Sequence, residues 1–203
     1  MTKPIYIVDD DPATRRSLMA LLARHTEFRA TSFESGEDFL ARTSEIEPGV
    51  VLLDIQMGGM SGLEVLATIN KDALPFLCVI LTGHGNIALA VEAMKSGAVD
   101  LLQKPYDQFT LIETIASAFD RLEQAGAEAA RIAAAQDSIA RLAPREVDVL
   151  RGLIAGKVNK VIAHELDISP RTVEVYRAHL MTKLRVRSLP DALRIAYAAG
   201  LVD

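Results

Sequence analysis

The sequence predicts an α/β fold of five strand-then-helix units, followed by a smaller all-α domain of four helices on a helical linker. Three observations predict it. Over residues 1–122, short runs rich in Val, Ile and Leu alternate with segments of helical periodicity. Beyond residue 141 such runs stop and helix-capping signals recur. Charge divides at the same place: 11 basic and 20 acidic residues in 1–140, net −9, against 11 and 7 in 141–203, net +4. Two domains with different partners are expected from such asymmetry. The expected boundaries are 1–122, a linker over 123–141, and 142–203.

The strand runs are Ile5–Val8, Arg29–Phe33, Val50–Leu53, Phe76–Leu81 and Val99–Leu102. The first, third and fourth are almost continuously apolar, as expected of strands covered on both faces. Between them, helices are marked by Leu18, Leu21 and Leu22, by Phe39 and Leu40, by Leu63, Leu66 and Ile69, and by Ala90, Val91 and Met94. Strand–helix alternation implies a parallel sheet with right-handed crossovers. Ligands then bind beyond the carboxyl ends of the strands. Those ends carry Asp9-Asp10-Asp11, Asp54, Thr82-Gly83 and Lys104-Pro105. Each has a plain structural reading alone: Asp11-Pro12, for instance, suits an N-cap and first helical position. Together, on one edge, they gather carboxylates, a hydroxyl and an ammonium. Crowded carboxylates repel, and a hard divalent cation such as Mg²⁺ relieves the repulsion. A carboxylate can accept a phosphoryl group, whose charge cations would neutralise. Asp54 fits that role, with Lys104 and Thr82 beside it.

Ile112, Ile115, Phe119 and Leu122 then mark a helix packed on the sheet. An Ala-rich stretch, 124–140, extends it as a helical linker in which Gly126 is the weak point. Pro144 opens a helix ended by Gly156, and Asn159 is expected to cap a second, Asn159–Leu166. Ser169-Pro170 starts a third, running to about Leu184, and Ser188 a fourth with Asp191 in its first turn. Two short helices around a tight turn form a helix-turn-helix, whose second member enters the DNA major groove. Glu174, Val175 and Ala178 would face bases, while Lys160, Arg171, Arg177 and Lys183 suit phosphates. Thr172, in the first turn of that helix, is also expected at DNA, and Val173 and Leu180 are expected in the core.

Residues 4–122 resemble the receiver domain of two-component response regulators, a flavodoxin-like (βα)5 fold. The resemblance rests on Asp10, Asp11, Asp54, Thr82 and Lys104-Pro105. Residues 142–176 resemble the LuxR-type DNA-binding domain, through Leu142, Pro144-Arg145-Glu146, Gly156, Asn159-Lys160, Ile162-Ala163 and Ile168–Tyr176. The whole chain resembles the NarL/FixJ family, its FixJ branch most closely. The resemblance implies a non-enzymatic transcription regulator activated when a sensor histidine kinase phosphorylates Asp54. It implies Mg²⁺ held by Asp11, Asp54 and the Gln56 carbonyl, with Asp10 acting through water, and a cis Lys104–Pro105 bond. It also implies phosphorylation-driven homodimerisation, promoter DNA as partner, and a last-helix dimer contact through Leu193, Ile195 and Ala196. Gln56 and His84 would tune acyl-phosphate lifetime.

Three departures stand out. Gly58 occupies a position where the family has proline, which predicts a flexible loop after Asp54. Leu101 replaces the usual Phe or Tyr that partners the Thr82 switch. Ala143 replaces a Ser or Thr cap, a loss of about 1 kcal/mol. The rival readings are a regulator that binds DNA without phosphorylation, using its receiver for docking, and a flavodoxin-like enzyme. The second would need a Ser/Thr/Gly-rich phosphate loop where the acidic run stands.

The remaining composition bounds the chain. It has 203 residues, half hydrophobic and 24% charged, which excludes disordered and fibrous classes. The single cysteine, Cys78, fits a reducing compartment and a buried site. No apolar run reaches membrane-spanning length and no signal-peptide pattern opens the chain, so it reads as soluble and cytoplasmic, with no membrane partner.

Overall fold

The computed structural model describes residues 2–83 and 87–201. His84 therefore lies outside the described residues. The chain divides into two compact units, Met1–Ala125 and Gly126–Asp203. The element order is β1 (Lys3–Val8), α1 (Pro12–Leu22), β2 (Phe28–Phe33), α2 (Gly36–Ala41), β3 (Gly49–Asp54), α3 (Gly62–Lys71), β4 (Phe76–Thr82), α4 (Ile87–Lys95), β5 (Asp100–Gln103) and α5 (Gln108–Ala140). Then follow α6 (Pro144–Ile154), α7 (Asn159–Leu166), α8 (Pro170–Lys183) and α9 (Leu189–Ala198).

In the first unit, all five strands pair in parallel, in the order β2-β1-β3-β4-β5. Strand order reverses between β1 and β3, so their carboxyl ends flank the switch-point crevice. Alternate side chains of each strand serve opposite faces. Tyr6, Val8, Val51, Leu53, Cys78 and Ile80 pack with Phe39, Val65, Leu66 and Ile69 on one side. Ile5, Ile7, Val50, Leu52, Val79 and Leu81 pack with Leu18, Leu22, Leu111, Ile115 and Phe119 on the other. Covering on both sides explains the unbroken apolar runs. Burial pushes the Cys78 thiol up to about 12, so it is an inert core group.

α4 presents a different face from the one its sequence marks. Ala93 is its buried residue and Leu89 packs on the core, whereas Val91 and Met94 are about half exposed and Ile87 almost fully. The turn from Leu89 to Ala93 faces the sheet, which leaves the larger chains outside.

α5 runs unbroken through the stretch read as a linker, and a Cβ on Gly126 would meet open space. No helix among the described residues is long and apolar enough to cross a membrane.

The second unit is held by Leu142, Val149, Leu150, Ile162, Ala163, Val173, Leu180, Leu184, Ala192 and Ala196. Gly152 lets α7 approach α6, since a Cβ there would stand 2.7 Å from Ile162. Gly156, at φ +71°, takes the left-handed turn that ends α6. Asn159 does not cap α7: Val158 holds the N-cap position, and Asn159 is the first helical residue, its Oδ1 accepting from Arg177 at 2.7 Å. Ser169 and Ser188 cap α8 and α9 as their sequence contexts predict. Ala196 is fully buried, so it belongs to the core and not to a dimer contact.

Candidate functional site: an acidic pocket and a recognition helix

At the switch point Asp9, Asp54 and Thr82 are buried with polar groups intact. Lys104 follows β5, and its backbone N–H donates to the Thr82 carbonyl at 2.7 Å, which brings its side chain over the crevice. Its Nζ donates to Asp9 Oδ2 at 2.7 Å and to Asp54 Oδ1 at 2.9 Å. The second Asp54 oxygen accepts from the Gln56 N–H at 3.1 Å. The Lys104–Pro105 bond is cis.

Burial is the main influence on Asp54 and raises its carboxyl above the ordinary range, against the lowering effect of Lys104. For Lys104, burial acts to lower the ammonium, but hydrogen bonds to Asp54 and Asp9 prevail and raise it. The ammonium is therefore a fixed charge at neutral pH, set between the two carboxylates.

The acidic set is displaced by one residue from the expected Asp10/Asp11 pair. Asp9, Asp10 and Asp54 each offer an oxygen within 4.8 Å of the others. Asp11 is committed elsewhere: as N-cap of α1 it accepts from the Ala13 and Thr14 amides, both at 3.0 Å, and from the Thr14 hydroxyl at 2.7 Å. The Thr14 bond, then the two amides, lower its carboxyl to about 2. The Asp11-Pro12 dipeptide carried this signal, because a capping aspartate spends its oxygens on backbone donors. Sequence reasoning missed Arg15, whose guanidinium donates to the carbonyls of Asp9 and Asp10 at 2.8 and 3.0 Å and braces the acidic turn from behind.

The loop after Asp54 is also tied more firmly than its glycines predict. The Gly58 N–H donates to Asp10 Oδ2 at 2.9 Å. The Met60 N–H donates to Glu37 Oε1 at 2.8 Å, and the Gly62 N–H to the Ile55 carbonyl at 3.0 Å. Leu101 is partly buried on β5 against the core beneath α4.

In the second unit, Lys160, Arg171, Glu174, Val175 and Ala178 are exposed, while Val173 and Leu180 face the core. Three residues expected at DNA have internal partners. The Thr172 hydroxyl lies 2.8 Å from that of Ser169 at the α8 cap. Arg177 donates to Asn159. Lys183 Nζ donates to Glu146 Oε2 at 2.7 Å.

Glu146 is a structural residue that motif reading named without giving it a role. Its buried carboxylate accepts from the Ala143 N–H at 2.7 Å, the half of a capping box that an alanine cap still allows. Lys183 and, at 4.0 Å, His179 come from α8 to the same carboxylate. It thus binds the start of α6 to the end of the recognition helix. Burial acts to raise its carboxyl, but Lys183 and the Ala143 amide outweigh this and hold it below the ordinary range. A lowered carboxyl stabilises the fold above its unfolded value of 4.5 and loses that contribution as pH falls through the folded value.

A doubly wound sheet with a lysine-bridged acidic crevice in one unit and a helix-turn-helix in the other is the architecture of a DNA-binding response regulator. Comparison with known families agrees. Residues 5–116 match the response regulator receiver domain, and residues 140–196 match the bacterial regulatory proteins of the luxR family. The transcriptional regulatory protein FixJ of Bradyrhizobium diazoefficiens is 46% identical over 202 residues, 98% of this chain and 97% of that protein. FixJ of Rhizobium meliloti is 40% identical over 196 residues, 97% and 96% of the two chains. The crystal structure of full-length FixJ from B. japonicum aligns over the whole of both chains with a TM-score of 0.60 and 45% identity. The response regulator StyR aligns over 97% of this chain and 99% of its own with a TM-score of 0.84 and 32% identity. The chain belongs to the FixJ-type response regulators, a family of transcription regulators and not of enzymes.

Glu146→Gln is expected to destabilise the second unit by about 1–3 kcal/mol at pH 7, the range for disturbing a buried hydrogen-bonded group. Urea unfolding of the full chain at pH 7 and below pH 4.5 checks it. The difference from wild type shrinks at the lower pH, and a difference that persists unchanged contradicts the assignment.

Proposed function

We propose that Asp54 accepts a phosphoryl group from a sensor histidine kinase and that this modification drives homodimerisation and binding to promoter DNA. The observation that carries the reading is Lys104 bridging Asp9 and Asp54 beside the buried Thr82 hydroxyl. In the transfer, a carboxylate oxygen of Asp54 attacks phosphorus as the P–N bond to the kinase histidine breaks. Lys104 then faces the new phosphoryl oxygens, and the Thr82 hydroxyl donates to one of them. Gln56, flanking the site, tunes how long the acyl phosphate lasts.

The donor set fits Mg²⁺, because Asp9, Asp10 and Asp54 offer hard oxygens within reach of one another. Those three residues, with the Gln56 backbone carbonyl, would hold the ion. Asp11 is left out of this set because its oxygens accept the capping bonds of α1. When bound, the ion neutralises negative charge on the phosphoryl group.

Inward movement of Thr82 repacks the face at Leu101 and α4. Ile87, Val91 and Met94, spaced by four and three residues, give α4 an exposed apolar stripe suited to pairing with a second receiver. In the second unit, Leu193 and Ile195 of α9 remain available for a dimer contact, without Ala196.

On DNA, Lys160 and Arg171 meet phosphates while Glu174, Val175 and Ala178 meet base edges. Thr172, at the N-terminal turn of α8, reaches the backbone once its cap is formed. Arg177 and Lys183 set the attitude of α8 through Asn159 and Glu146, and contact phosphates with their remaining donors.

Two experiments test this reading. With acetyl phosphate and Mg²⁺, the wild-type chain gains one phosphoryl group by intact mass and dimerises by light scattering. Asp54→Asn gains none and stays in its starting state; if it dimerises equally under those conditions, Asp54 is not the acceptor. Arg171→Ala should weaken binding to all duplexes and reduce the salt slope by about one. Val175→Ala should change which base is preferred, with a loss of about 1–3 kcal/mol confined to the specific site. Equal losses on specific and random duplexes for both variants contradict the placement of α8.

A further inference from the structure

The hydrogen bond from the Gly58 amide to Asp10 exists only because position 58 is not proline. A proline there would have no N–H to give. Nothing else in the local structure demands glycine. Gly58 is not among the glycines of positive φ, and a Cβ would stand 3.8 Å from Asp10 Oδ2, an ordinary contact.

We infer that the Gly58 amide is a positioning group for the divalent cation, holding the exposed carboxylate of Asp10 in its binding orientation before the ion arrives. The inference rests on the reading of Asp9, Asp10 and Asp54 as the cation site. Asp9 is already fixed by Lys104 and by the Asp11 N–H, at 2.7 and 2.9 Å, and Asp54 by Lys104 and the Gln56 N–H. Asp10 is the exposed member of the three. Without an anchor its side chain would lose rotamer freedom on binding a cation, a loss that weakens binding. The Gly58 N–H supplies the anchor at 2.9 Å to Oδ2, and among the described residues no donor reaches Oδ1. The anchor is itself firm, because Met60 is tied to Glu37 and Gly62 to Ile55 in the same loop. The bond also joins the acidic turn to the loop that carries Gln56, so the two banks of the site are assembled together.

The test compares Mg²⁺ binding by the full-length wild type, Gly58→Ala and Gly58→Pro, using isothermal titration calorimetry with MgCl₂ at one pH and ionic strength. Alanine keeps the N–H and proline removes it, while both restrict the backbone relative to glycine. The expected result is a Kd within about twofold of wild type for Gly58→Ala and about three- to tenfold weaker for Gly58→Pro, the range for losing one ordinary solvent-accessible hydrogen bond. Circular dichroism establishes that each variant is folded. A second measurement needs no variant: in ¹⁵N-labelled wild type, the Gly58 amide proton should stay protected from solvent exchange at saturating Mg²⁺. Binding by Gly58→Pro as tight as wild type overturns the inference, as does equal weakening by both variants, which would assign the effect to chain stiffness. Loss of Gly58 protection on saturation also overturns it, since the bond would then compete with the ion. A wild type that binds no Mg²⁺ defeats the cation-site reading and this inference with it. Wild-type binding with an unaffected Gly58→Pro defeats this inference alone.

Discussion

One ammonium between two buried carboxylates organises the receiver. Lys104 stands 2.7 Å from Asp9 and 2.9 Å from Asp54, and all three come from different strand ends. Neither carboxylate could stay ionised in the crevice at low cost without a cation beside it. The parallel sheet is what makes the arrangement possible. Its strand order brings β1 and β3 together at the switch point, and the Lys104 amide bound to the Thr82 carbonyl sets the lysine over them. Both apolar faces of the sheet are spent on helices, so chemistry is confined to the carboxyl edge.

A comparable arrangement works at smaller scale in the second unit. Buried Glu146 receives the Ala143 amide and Lys183, so one carboxylate fixes the entry of α6 and the exit of the recognition helix. The exposed side chains of α8 are thereby presented on a rigid support. In both units, a buried acid partnered by lysine stabilises geometry, and more exposed groups nearby are left for the ligand. The opposite net charges of the two stretches fit the proposed tasks, a cation site in one and DNA binding in the other.

Much of this was legible in the sequence. Three unbroken apolar runs located β1, β3 and β4, because a parallel strand buried on both faces is a continuous signal, while the edge strands β2 and β5 showed as shorter mixed runs; the residues ending the runs marked the carboxyl edge with Asp54, Thr82 and Lys104. Ser169-Pro170 and Ser188 located α8 and α9 because capping is local chemistry. What was not legible depended on where individual oxygens and amides point. Asp11-Pro12 pointed to a capping acid, but only the hydrogen bonds from Ala13 and Thr14 show its oxygens engaged there, while Asp9 and Asp10 each bring an oxygen within 4.8 Å of Asp54. Gly58 reads as a source of flexibility, yet its N–H ties the loop to Asp10. The phase of α4 followed Ala93 rather than the larger Val91 and Met94, since a small residue lets a helix lie close to the sheet. Arg177 and Lys183 look like phosphate ligands by charge alone, and their partners Asn159 and Glu146 are 18 and 37 residues away.

The central claim is that charge added at Asp54 alters what the second unit does with DNA. A DNase footprint by the full-length chain, on a duplex selected by this protein from a random pool, tests it most directly. It is run with Mg²⁺ at one protein concentration, with and without acetyl phosphate. The account predicts a protected stretch, with half-sites about one helical turn apart or a multiple of that, that appears or strengthens on phosphorylation. Identical protection in both lanes, with the phosphoryl group demonstrably present, would contradict it.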